Sequence, residues 1–591
     1  MRSERPKQQR KKSARAGAGK AVALPRYRAR TWTLLLLLGL AGTLLIWRAV
    51  HQQIFETDFL QDQGERRHLR GVEVPAHRGM ITDRDGDPLA ISTPADSVWA
   101  NPRVLAPDSH TLAPLAKALD SSVEDLRQLL ASRSDRSFVY LRRRLTPDLT
   151  NKINKLVREK AIPGVGLDRG FRRYYPGGEV FSHVVGFTDI DDTGQEGVEL
   201  AYQQWLQSIP GKKLVIRDGH ARAVQNIESI RAPVEGRDLA LSLDRRLQYL
   251  AYRELKSAVK QHGAKAGSAI ILDVRSGEIL AMVNRPSYNP NGSKDVKRSY
   301  FRNRAVTDVF EPGSTMKPFT IAAGLETGRY RPDTRIDTNP GFITVGRNRV
   351  KDHHNLGVID VTTVIQRSSN VGATKIAMDI PPETLWRFYD RLGFGSPTGV
   401  SFPGESDGQL TPYKRWADID HATLAFGYGL SVTTLQLAQA YAVLAADGVK
   451  RPASLLRLDK PVQGEPVLAK ETARAVRRMM ETVVSPEGTA PQAAVIGYRV
   501  AGKTGTVRKS VPGGYSKDRY LSIFAGIAPA SAPRLVMVVV IDEPKGKQYY
   551  GGQVAAPVFS RVMSGALRLL NITPDDLSPK DVRMAAVGGE G

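Results

Sequence analysis

Ser314 and Lys317 are the residues whose types and spacing best fit covalent chemistry in this sequence. They lie in the segment Glu311–Pro318, where Pro312-Gly313 predicts a turn and the apolar residues that follow predict a helix beginning near Gly313. Residues three positions apart share a helix face, so the Lys317 amine is expected to reach the Ser314 hydroxyl. A serine becomes a nucleophile beside a base. A lysine is such a base when burial or a nearby cation lowers its pKa.

The Ser-x-x-Lys spacing is weak evidence by itself, because it also occurs at Ser257–Lys260. That second copy lies in the middle of a helix predicted over Arg246–Gln261, where a serine hydroxyl commonly faces solvent. Ser314 instead follows a turn at a predicted helix N-terminus, whose free N–H groups favour developing negative charge. The context therefore favours Ser314 as the nucleophile.

Two further motifs follow in the chain, Ser368-Ser369-Asn370 and Lys503-Thr504-Gly505-Thr506. Each has an ordinary alternative, since Ser368 could cap a helix and Lys503 could be a solvated residue at the end of a strand. The order Ser-x-x-Lys, Ser-x-Asn, Lys-Thr-Gly is far more specific than any one motif. It resembles the fold of the penicillin-binding proteins, which peptidoglycan transpeptidases share with serine β-lactamases.

That resemblance implies a role for each catalytic position. Ser314 would attack the penultimate carbonyl of a D-Ala-D-Ala stem peptide, and Lys317 would take its proton. Lys503 is a second cation that would help to keep Lys317 neutral. Ser368 would pass a proton to the leaving amine, and Asn370 would orient Lys317.

The same resemblance implies how the substrate is held. Lys503, Thr504 and Thr506 would bind the terminal carboxylate, and Gly505 would let the strand approach the ligand. The backbone N–H groups of Ser314 and Thr506 would form an oxyanion hole. β-Lactams, which mimic D-Ala-D-Ala, would leave Ser314 acylated. No cofactor or metal is expected, and His353-His354 is expected to lie in a solvated loop because no third ligand has usable spacing.

The N-terminal region predicts a basic tail followed by a membrane anchor. Residues 1–30 contain 11 lysines and arginines against one acid, Glu4, and are expected to be disordered. Residues 31–50 are the expected transmembrane anchor, retained rather than cleaved as a signal peptide or buried as a core helix. The positive-inside rule then puts the tail in the cytoplasm and the rest of the chain outside. Topology and anionic lipid explain the net charge of +25 better than nucleic acid does.

Residues 51–235 are expected to form an elongated pedestal of mixed α/β structure. Helical patterns occur at residues 110–119, 123–131 and 147–160. The motif from Arg78 to Ala90, and a second made by Arg173, Pro176, Gly197 and Glu199, resemble the pedestal of class B penicillin-binding proteins. In that family the pedestal lifts the catalytic domain from the membrane and docks partners.

Residues 236–575 are expected to form the transpeptidase domain, with a flexible tail over 576–591. An alternating strand is predicted at Asp238–Leu243 and a hairpin over 267–283. Apolar strands are predicted at 521–528 and 535–541, and helices at 433–446 and 555–570. The fold class is therefore α+β, with an antiparallel sheet covered by helices as in serine β-lactamases and the nucleophile on a helix at its edge.

The resemblance is strongest to the septal D,D-transpeptidase branch of the class B family. A single anchor is expected, with no glycosyltransferase module before the pedestal and no sensor repeats after the transpeptidase domain. The expected location is the bacterial inner membrane, as a single-pass protein with a periplasmic catalytic domain. Expected partners are stem peptides, β-lactams, a membrane glycosyltransferase and other division proteins. The alternatives are an elongation-specific transpeptidase, a β-lactam receptor without turnover, a division scaffold, and a hydrolytic β-lactamase or carboxypeptidase.

Overall fold

The computed structural model describes residues 28–55, 69–105, 107–159, 162–217, 223–292 and 296–576. The expected tails, residues 1–30 and 576–591, lie outside these ranges except for residues 28–30 and 576. The chain divides into two compact units. One is made of Met1–Val72 with Lys213–Ser229, and the other of Glu73–Lys212 with Ile230–Gly591.

The first helix, α1, spans Arg28–Val50 and continues into a π-helical turn over His51–Phe55. It begins three residues before the predicted anchor. An 18-residue stretch within Ala29–Phe55 has a mean hydropathy of 2.0, and the large apolar side chains of this segment are exposed. A helix of this length and composition is able to cross a bilayer core, which needs about 20 predominantly apolar residues.

The pedestal region combines short strands with three helices of about three turns. Its strands are β1 (Leu69–Val74), β2 (Ile81–Thr82), β3 (Pro88–Ala100), β4 (Val139–Arg142), β5 (Val165–Tyr174), β6 (Gly211–Arg217), β7 (Ala223–Arg231) and β8 (Leu239–Ala240). Its helices are α2 (Ser109–Leu119), α3 (Val123–Ala131), α4 (Pro147–Glu159), α5 (Ser182–Val185), α6 (Gly197–Ala201) and α7 (Gln203–Leu206). The three helical patterns predicted from the sequence are confirmed as α2, α3 and α4.

Strand β3 organises the larger pedestal sheet. It pairs antiparallel with β5 over ten residues, and the sheet continues in the order β4-β3-β2-β8. The strand predicted over Asp238–Leu243 is wrong in length, since β8 has two residues. The Leu241 N–H still donates to the Thr82 carbonyl of β2, but Leu241 also bridges to Leu456. The Ser242 N–H then donates to the Leu455 carbonyl, so the pairing with β2 ends there. A smaller sheet has the order β1-β6-β7.

Both pedestal motifs end in one buried ion cluster. Glu199, at the start of α6, accepts from Arg78 Nε and Arg173 Nε at 2.6 Å each. All three side chains are buried. Arg78 also donates to the carbonyls of Asp192 and Glu199. The cluster joins segments more than 90 residues apart in sequence, so it fixes the pedestal fold around one carboxylate.

The second half of the chain is built around a five-stranded antiparallel sheet, with further strands in two-stranded sheets. The strands of this half are β9 (Ala266–Asp273), β10 (Ile279–Arg285), β11 (Arg335–Asp337), β12 (Phe342–Val345), β13 (Asn348–Lys351), β14 (Val358–Asp360), β15 (Gln409–Leu410), β16 (Leu430–Ser431), β17 (Val449–Lys450), β18 (Glu465–Pro466), β19 (Ala501–Val511), β20 (Gly514–Ala528) and β21 (Leu535–Asp542). Its helices are α8 (Arg245–Gln261), α9 (Arg304–Thr307), α10 (Lys317–Glu326), α11 (Val361–Gln366), α12 (Asn370–Met378), α13 (Pro382–Leu392), α14 (Asp418–Leu424), α15 (Thr434–Ala445), α16 (Lys470–Glu481), α17 (Gly551–Val554) and α18 (Ala556–Leu569).

The central sheet has the strand order β10-β9-β21-β20-β19. Strands β9 and β21 lie inside it and are buried along almost their whole length, as their continuous apolar runs predict. Helix α15 packs on the sheet, buried except at Ala442, and begins with a capping box between Thr433 and Gln436. Strand β19, which carries Lys503 to Thr506, forms one edge. The predicted α+β class, with an antiparallel sheet flanked by helices, is confirmed.

Candidate active site

Ser314 lies in a 3₁₀ turn, Gly313–Met316, directly before helix α10. The predicted helix start near Gly313 corresponds to this 3₁₀ turn, which continues directly into the α-helix. Gly313 itself has φ +56°, a left-handed conformation that glycine adopts readily. The α-helix starts at Lys317, where Pro318 fits the first turn because a proline lacks an N–H. Tyr441 holds the turn by donating its hydroxyl to the Thr315 carbonyl at 2.8 Å.

Lys317 is completely buried and points toward the second motif. Its Nζ donates to the Ser368 carbonyl at 2.5 Å and to Asn370 Oδ1 at 2.8 Å, and lies 3.1 Å from Ser368 Oγ. Among the described residues it makes no hydrogen bond to Ser314, so the predicted contact between these two side chains is not observed. Catalytic hydrogen bonds are often long before substrate binds.

Ser368 bridges the two lysines of the site. Its hydroxyl lies 2.9 Å from Lys503 Nζ and 3.1 Å from Lys317 Nζ. Lys503 is also completely buried, so it is not a solvated residue at the end of a strand. The three motifs therefore converge through one hydroxyl, which is placed to exchange protons with either amine.

Burial sets the charge state of this pair. Burial lowers the pKa of Lys317 well below its ordinary value, and the positive charge of Lys503 lowers it further. The Asp352 carboxylate opposes that shift. Burial also lowers the pKa of Lys503, to about 7. A neutral Lys317 beside a Lys503 that is charged up to about pH 7 is the state in which one lysine is a base and the other a cation.

The second motif is held by a carboxylate that sequence reasoning missed. Asp352 accepts from the Ser369 hydroxyl at 2.6 Å and from the backbone N–H groups of Asn370 and Val371 at 2.5 and 3.0 Å. Ser369, and not Ser368, caps helix α12 by accepting from the Gly372 N–H. Ser368 has φ +59°, a left-handed conformation that costs a non-glycine residue free energy. Asp352 follows β13 directly, and no motif marks it.

The edge strand β19 packs directly on the serine turn. A Cβ at Gly505 would lie 3.1 Å from the Pro312 carbonyl oxygen and from Thr315 Cγ2. A Cβ at Gly313 would lie 2.4 Å from Val507 Cγ2. Both positions need glycine for this approach, which brings the third motif next to Ser314.

The two threonines of the third motif already have protein partners. Thr504 Oγ1 lies 3.0 Å from Thr489 Oγ1 and 3.5 Å from Lys503 Nζ. Thr506 Oγ1 accepts from the Gly551 N–H at 3.0 Å. Thr506 is part-exposed and Thr504 is nearly buried. These bonds fix both hydroxyls beside the serine turn.

Glu311 is the other polar group of the site that the sequence did not indicate. Its Oε1 accepts from the Gly429 N–H at 2.9 Å and from the Tyr515 hydroxyl at 3.0 Å, while Oε2 is buried without a partner in the described chain. Burial raises its pKa. Tyr515 also contacts Tyr428 edge to face. Because Tyr515 lies at the start of β20, these contacts tie the β19–β20 hairpin to the segment before Ser314.

Metal chemistry has no ligand set in the described ranges. No group of three or more histidine, aspartate or glutamate side chains converges there. His353 and His354 are exposed, and His353 contacts the Tyr550 ring. What the site does hold is a part-exposed hydroxyl, a buried base and a buried second cation, the equipment of serine acyl transfer.

Family comparisons agree with the site. A family model described as the penicillin-binding protein transpeptidase domain matches residues 267–564, and one described as the penicillin-binding protein dimerisation domain matches residues 73–241. The chain belongs to the class B penicillin-binding proteins.

Individual relatives narrow the class. The chain is 42% identical over 571 residues to the peptidoglycan D,D-transpeptidase FtsI of Escherichia coli K12, covering 95% of this chain and 96% of that one. The FtsI of Buchnera aphidicola from Schizaphis graminum is 37% identical over 91% of this chain and 94% of its own. Among solved structures, the transpeptidase domain of Burkholderia pseudomallei penicillin-binding protein 3 is 44% identical, with a TM-score of 0.53, over 57% of this chain and 98% of that one. A peptidoglycan synthetase of Bifidobacterium adolescentis, 24% identical, shares the fold with a TM-score of 0.67 over 86% of this chain and 98% of that one.

Proposed function

We propose that this chain is a peptidoglycan D,D-transpeptidase that cross-links stem peptides at the division septum through an acyl-enzyme on Ser314. The observation that carries the proposal is the pair of buried lysines, Lys317 and Lys503, bridged by Ser368 beside the serine turn. Two relatives that align over 94% or more of their own length carry the name FtsI. This name favours the septal role over the elongation-specific role.

In the first half-reaction, Ser314 Oγ attacks the carbonyl carbon of the penultimate D-alanine, and its proton passes to Lys317 Nζ. The C–N bond then breaks, and the leaving D-alanine amine takes a proton from Lys317 through Ser368. Ser368 suits this relay because its hydroxyl lies within hydrogen-bond reach of both lysines. Asn370 holds Lys317 in place.

Substrate recognition falls to the edge strand. Lys503 supplies the positive charge for the terminal carboxylate, and Thr504 and Thr506 supply hydroxyls. The N–H groups of Ser314 and Thr506 receive the oxyanion, and Gly505 keeps the strand close to the serine turn. In the second half-reaction the amine of a neighbouring stem attacks the ester carbon and its proton goes to Lys317. The C–O bond to Ser314 then breaks, and Ser314 Oγ takes that proton back from Lys317. β-Lactams stop at the acyl-enzyme.

Residues 31–50 anchor the protein in the bacterial inner membrane. The exposed apolar helix α1 supports this assignment, and the excess of basic residues before it supports a cytoplasmic N-terminus. Residues 51–235 then act as the pedestal, and residues 236–575 as the periplasmic transpeptidase domain. A membrane glycosyltransferase and other division proteins are the expected partners. A scaffold role without turnover is not favoured, because every catalytic position is filled.

The test is acylation by penicillin, followed by intact mass spectrometry of the full-length protein in non-ionic detergent. The wild type should gain the mass of one penicillin, and Ser314→Ala should gain none. Ser257→Ala is the matched control, because it removes the serine of the other Ser-x-x-Lys sequence and should keep the adduct.

The outcomes separate the alternatives. An adduct at Ser314 together with cross-linking of stem-peptide substrates establishes the transpeptidase. An adduct without turnover on stem peptides leaves a receptor. Hydrolysed penicillin without an adduct indicates a β-lactamase, and neither adduct nor hydrolysis overturns the catalytic proposal.

A further inference from the structure

A second concave site lies in the transpeptidase half of the chain and contains none of the catalytic residues. Its volume is about 750 Å³, and it is enclosed by the end of α15, one face of α16 and the segments after β9 and β20. Six arginines line it: Arg275, Arg451, Arg474, Arg477, Arg478 and Arg499. Two carboxylates, Asp447 and Glu481, face them, which leaves an excess of four positive charges.

Half of these arginines are already used by the fold. Asp447 pairs with Arg474 at 2.8 Å and with Arg477 at 3.1 Å, and Glu481 pairs with Arg499 at 2.8 Å. Arg477 is buried and also donates to the carbonyls of Ala530 and Leu444. These three arginines hold α16 against the end of α15 and the segment after β20.

The other three arginines have no such task. Within the part of the chain that the structure describes, the guanidinium groups of Arg275 and Arg478 make no hydrogen bond or ion pair, and both residues are exposed. Arg451 Nε is buried and has no hydrogen-bond partner among the described residues. The pocket therefore holds three guanidinium groups that the chain's own acceptors do not fully use.

The spacing on α16 concentrates the charge further. Arg474, Arg477 and Arg478 are three and four residues apart and so share one helix face. Like charges on one face repel, and Asp447 neutralises only part of that repulsion. A concave surface of one sign raises the local concentration of the opposite ion, so this geometry attracts anions rather than cations or apolar ligands.

We propose that this arginine pocket binds a small polyanion that carries at least two phosphate or carboxylate groups. Guanidinium groups bind both oxyanions in two-pronged geometry. The volume falls in the range of about 300–1,000 Å³ typical of small-molecule sites and exceeds what one inorganic phosphate fills. Arg275, Arg451 and Arg478 supply the free donors, and the paired arginines form the rigid wall behind them.

The experiment is isothermal titration calorimetry of the full-length protein in non-ionic detergent at fixed ionic strength. It measures the affinity for three probes: tripolyphosphate, citrate and inorganic phosphate. Arg275→Gln/Arg478→Gln removes two exposed, unpaired arginines of the pocket. Arg133→Gln/Arg136→Gln is the matched control, because it removes two exposed arginines that line no part of the pocket. Both variants should be acylated by penicillin at the wild-type rate, which shows that each is folded.

Saturable binding of tripolyphosphate or citrate, weakened about tenfold or more in the pocket variant and unchanged in the control, supports the proposal, since charge-assisted contacts are the strong ones. Preference for tripolyphosphate identifies a phosphorylated ligand, and preference for citrate a polycarboxylate. The absence of saturable binding of both probes overturns it. Equal weakening in the two double variants also overturns it, because that result reports only net charge.

Discussion

The pedestal and the active site each bury a pair of long cationic side chains, and the two regions treat the charge in opposite ways. In the pedestal, Arg78 and Arg173 each meet one oxygen of Glu199 at 2.6 Å. In the transpeptidase domain, Lys317 and Lys503 meet across the Ser368 hydroxyl. Among the described residues, no carboxylate forms an ion pair with either lysine.

The choice of cation explains the difference. An arginine does not lose its proton in a protein, so a buried arginine needs a counter-ion. A buried lysine can become neutral instead, and the lowered pKa values of Lys317 and Lys503 show that burial drives them that way. Buried arginines with a counter-ion therefore stabilise the fold. Two buried lysines without a counter-ion can instead supply a neutral amine that acts as a base.

The largest effect is expected on the acylation rate, when the buried lysine that can be neutral is replaced by an arginine that cannot. Lys317→Arg keeps a cation of similar length but removes the ability to be neutral. Penicillin acylation should fall about 10²- to 10⁴-fold, the usual contribution of a general base. Stopped-flow or quenched acylation rates measure it.

Lys260→Arg is the matched control for this variant. Lys260 belongs to the other Ser-x-x-Lys sequence, where Ser257 and Lys260 are both exposed on α8. That variant should acylate at the wild-type rate. A Lys317→Arg protein that acylates within a few-fold of wild type would mean that a different group is the base.

The second prediction concerns the stability of the pedestal and removes the counter-charge of its buried arginines. Glu199→Gln keeps the shape of the side chain and leaves two buried arginines without a counter-charge. Removal of one partner from a buried ion cluster costs about 3–5 kcal/mol of unfolding free energy. The thermal midpoint of the first unfolding transition should fall, while the acylation rate of the folded protein stays unchanged.

A surface pair in the same region gives the reference. Glu124 pairs with Arg127 at 2.6 Å, and both side chains are solvent-accessible. Exposed pairs of this kind contribute about 0–1 kcal/mol, so Glu124→Gln should barely move the midpoint. Equal shifts of the midpoint by the two substitutions would show that the Glu199 cluster does not stabilise the fold more than a surface ion pair does.

The sequence predicts the part of this architecture that periodicity and apolar runs determine. Strand β21 is a nearly continuous apolar run and helix α15 is a mostly apolar segment, and each is observed within one residue of its predicted limits. Strand β20 was predicted from Leu521, but it begins at Gly514. Its first seven residues are mostly exposed and polar, so they carry no burial pattern.

The site is harder to predict where it depends on contacts between distant segments. Asp352 lies outside every motif, and only the fold brings it under Ser369 and Asn370. The left-handed backbone of Ser368 follows from that anchoring and has no local signature. The placement of Lys317 against Ser368 rather than Ser314 likewise follows from burial against α12, which the Ser-x-x-Lys spacing does not contain.

The last prediction concerns how the acylation rate depends on pH through the charge of Lys503. Lys503 is needed with its proton to hold a carboxylate, and its pKa lies at about 7 in the free protein. A group with a lowered pKa loses its charge as pH rises through that value. The second-order acylation rate should therefore fall above about pH 7, approaching about tenfold for each further pH unit. Lys503→Arg keeps its charge at every pH in this range, so its rate should stay flat there even if its absolute value is lower. A wild-type rate that rises steadily from pH 7 to 9 would show that the charge of Lys503 is not what captures the carboxylate.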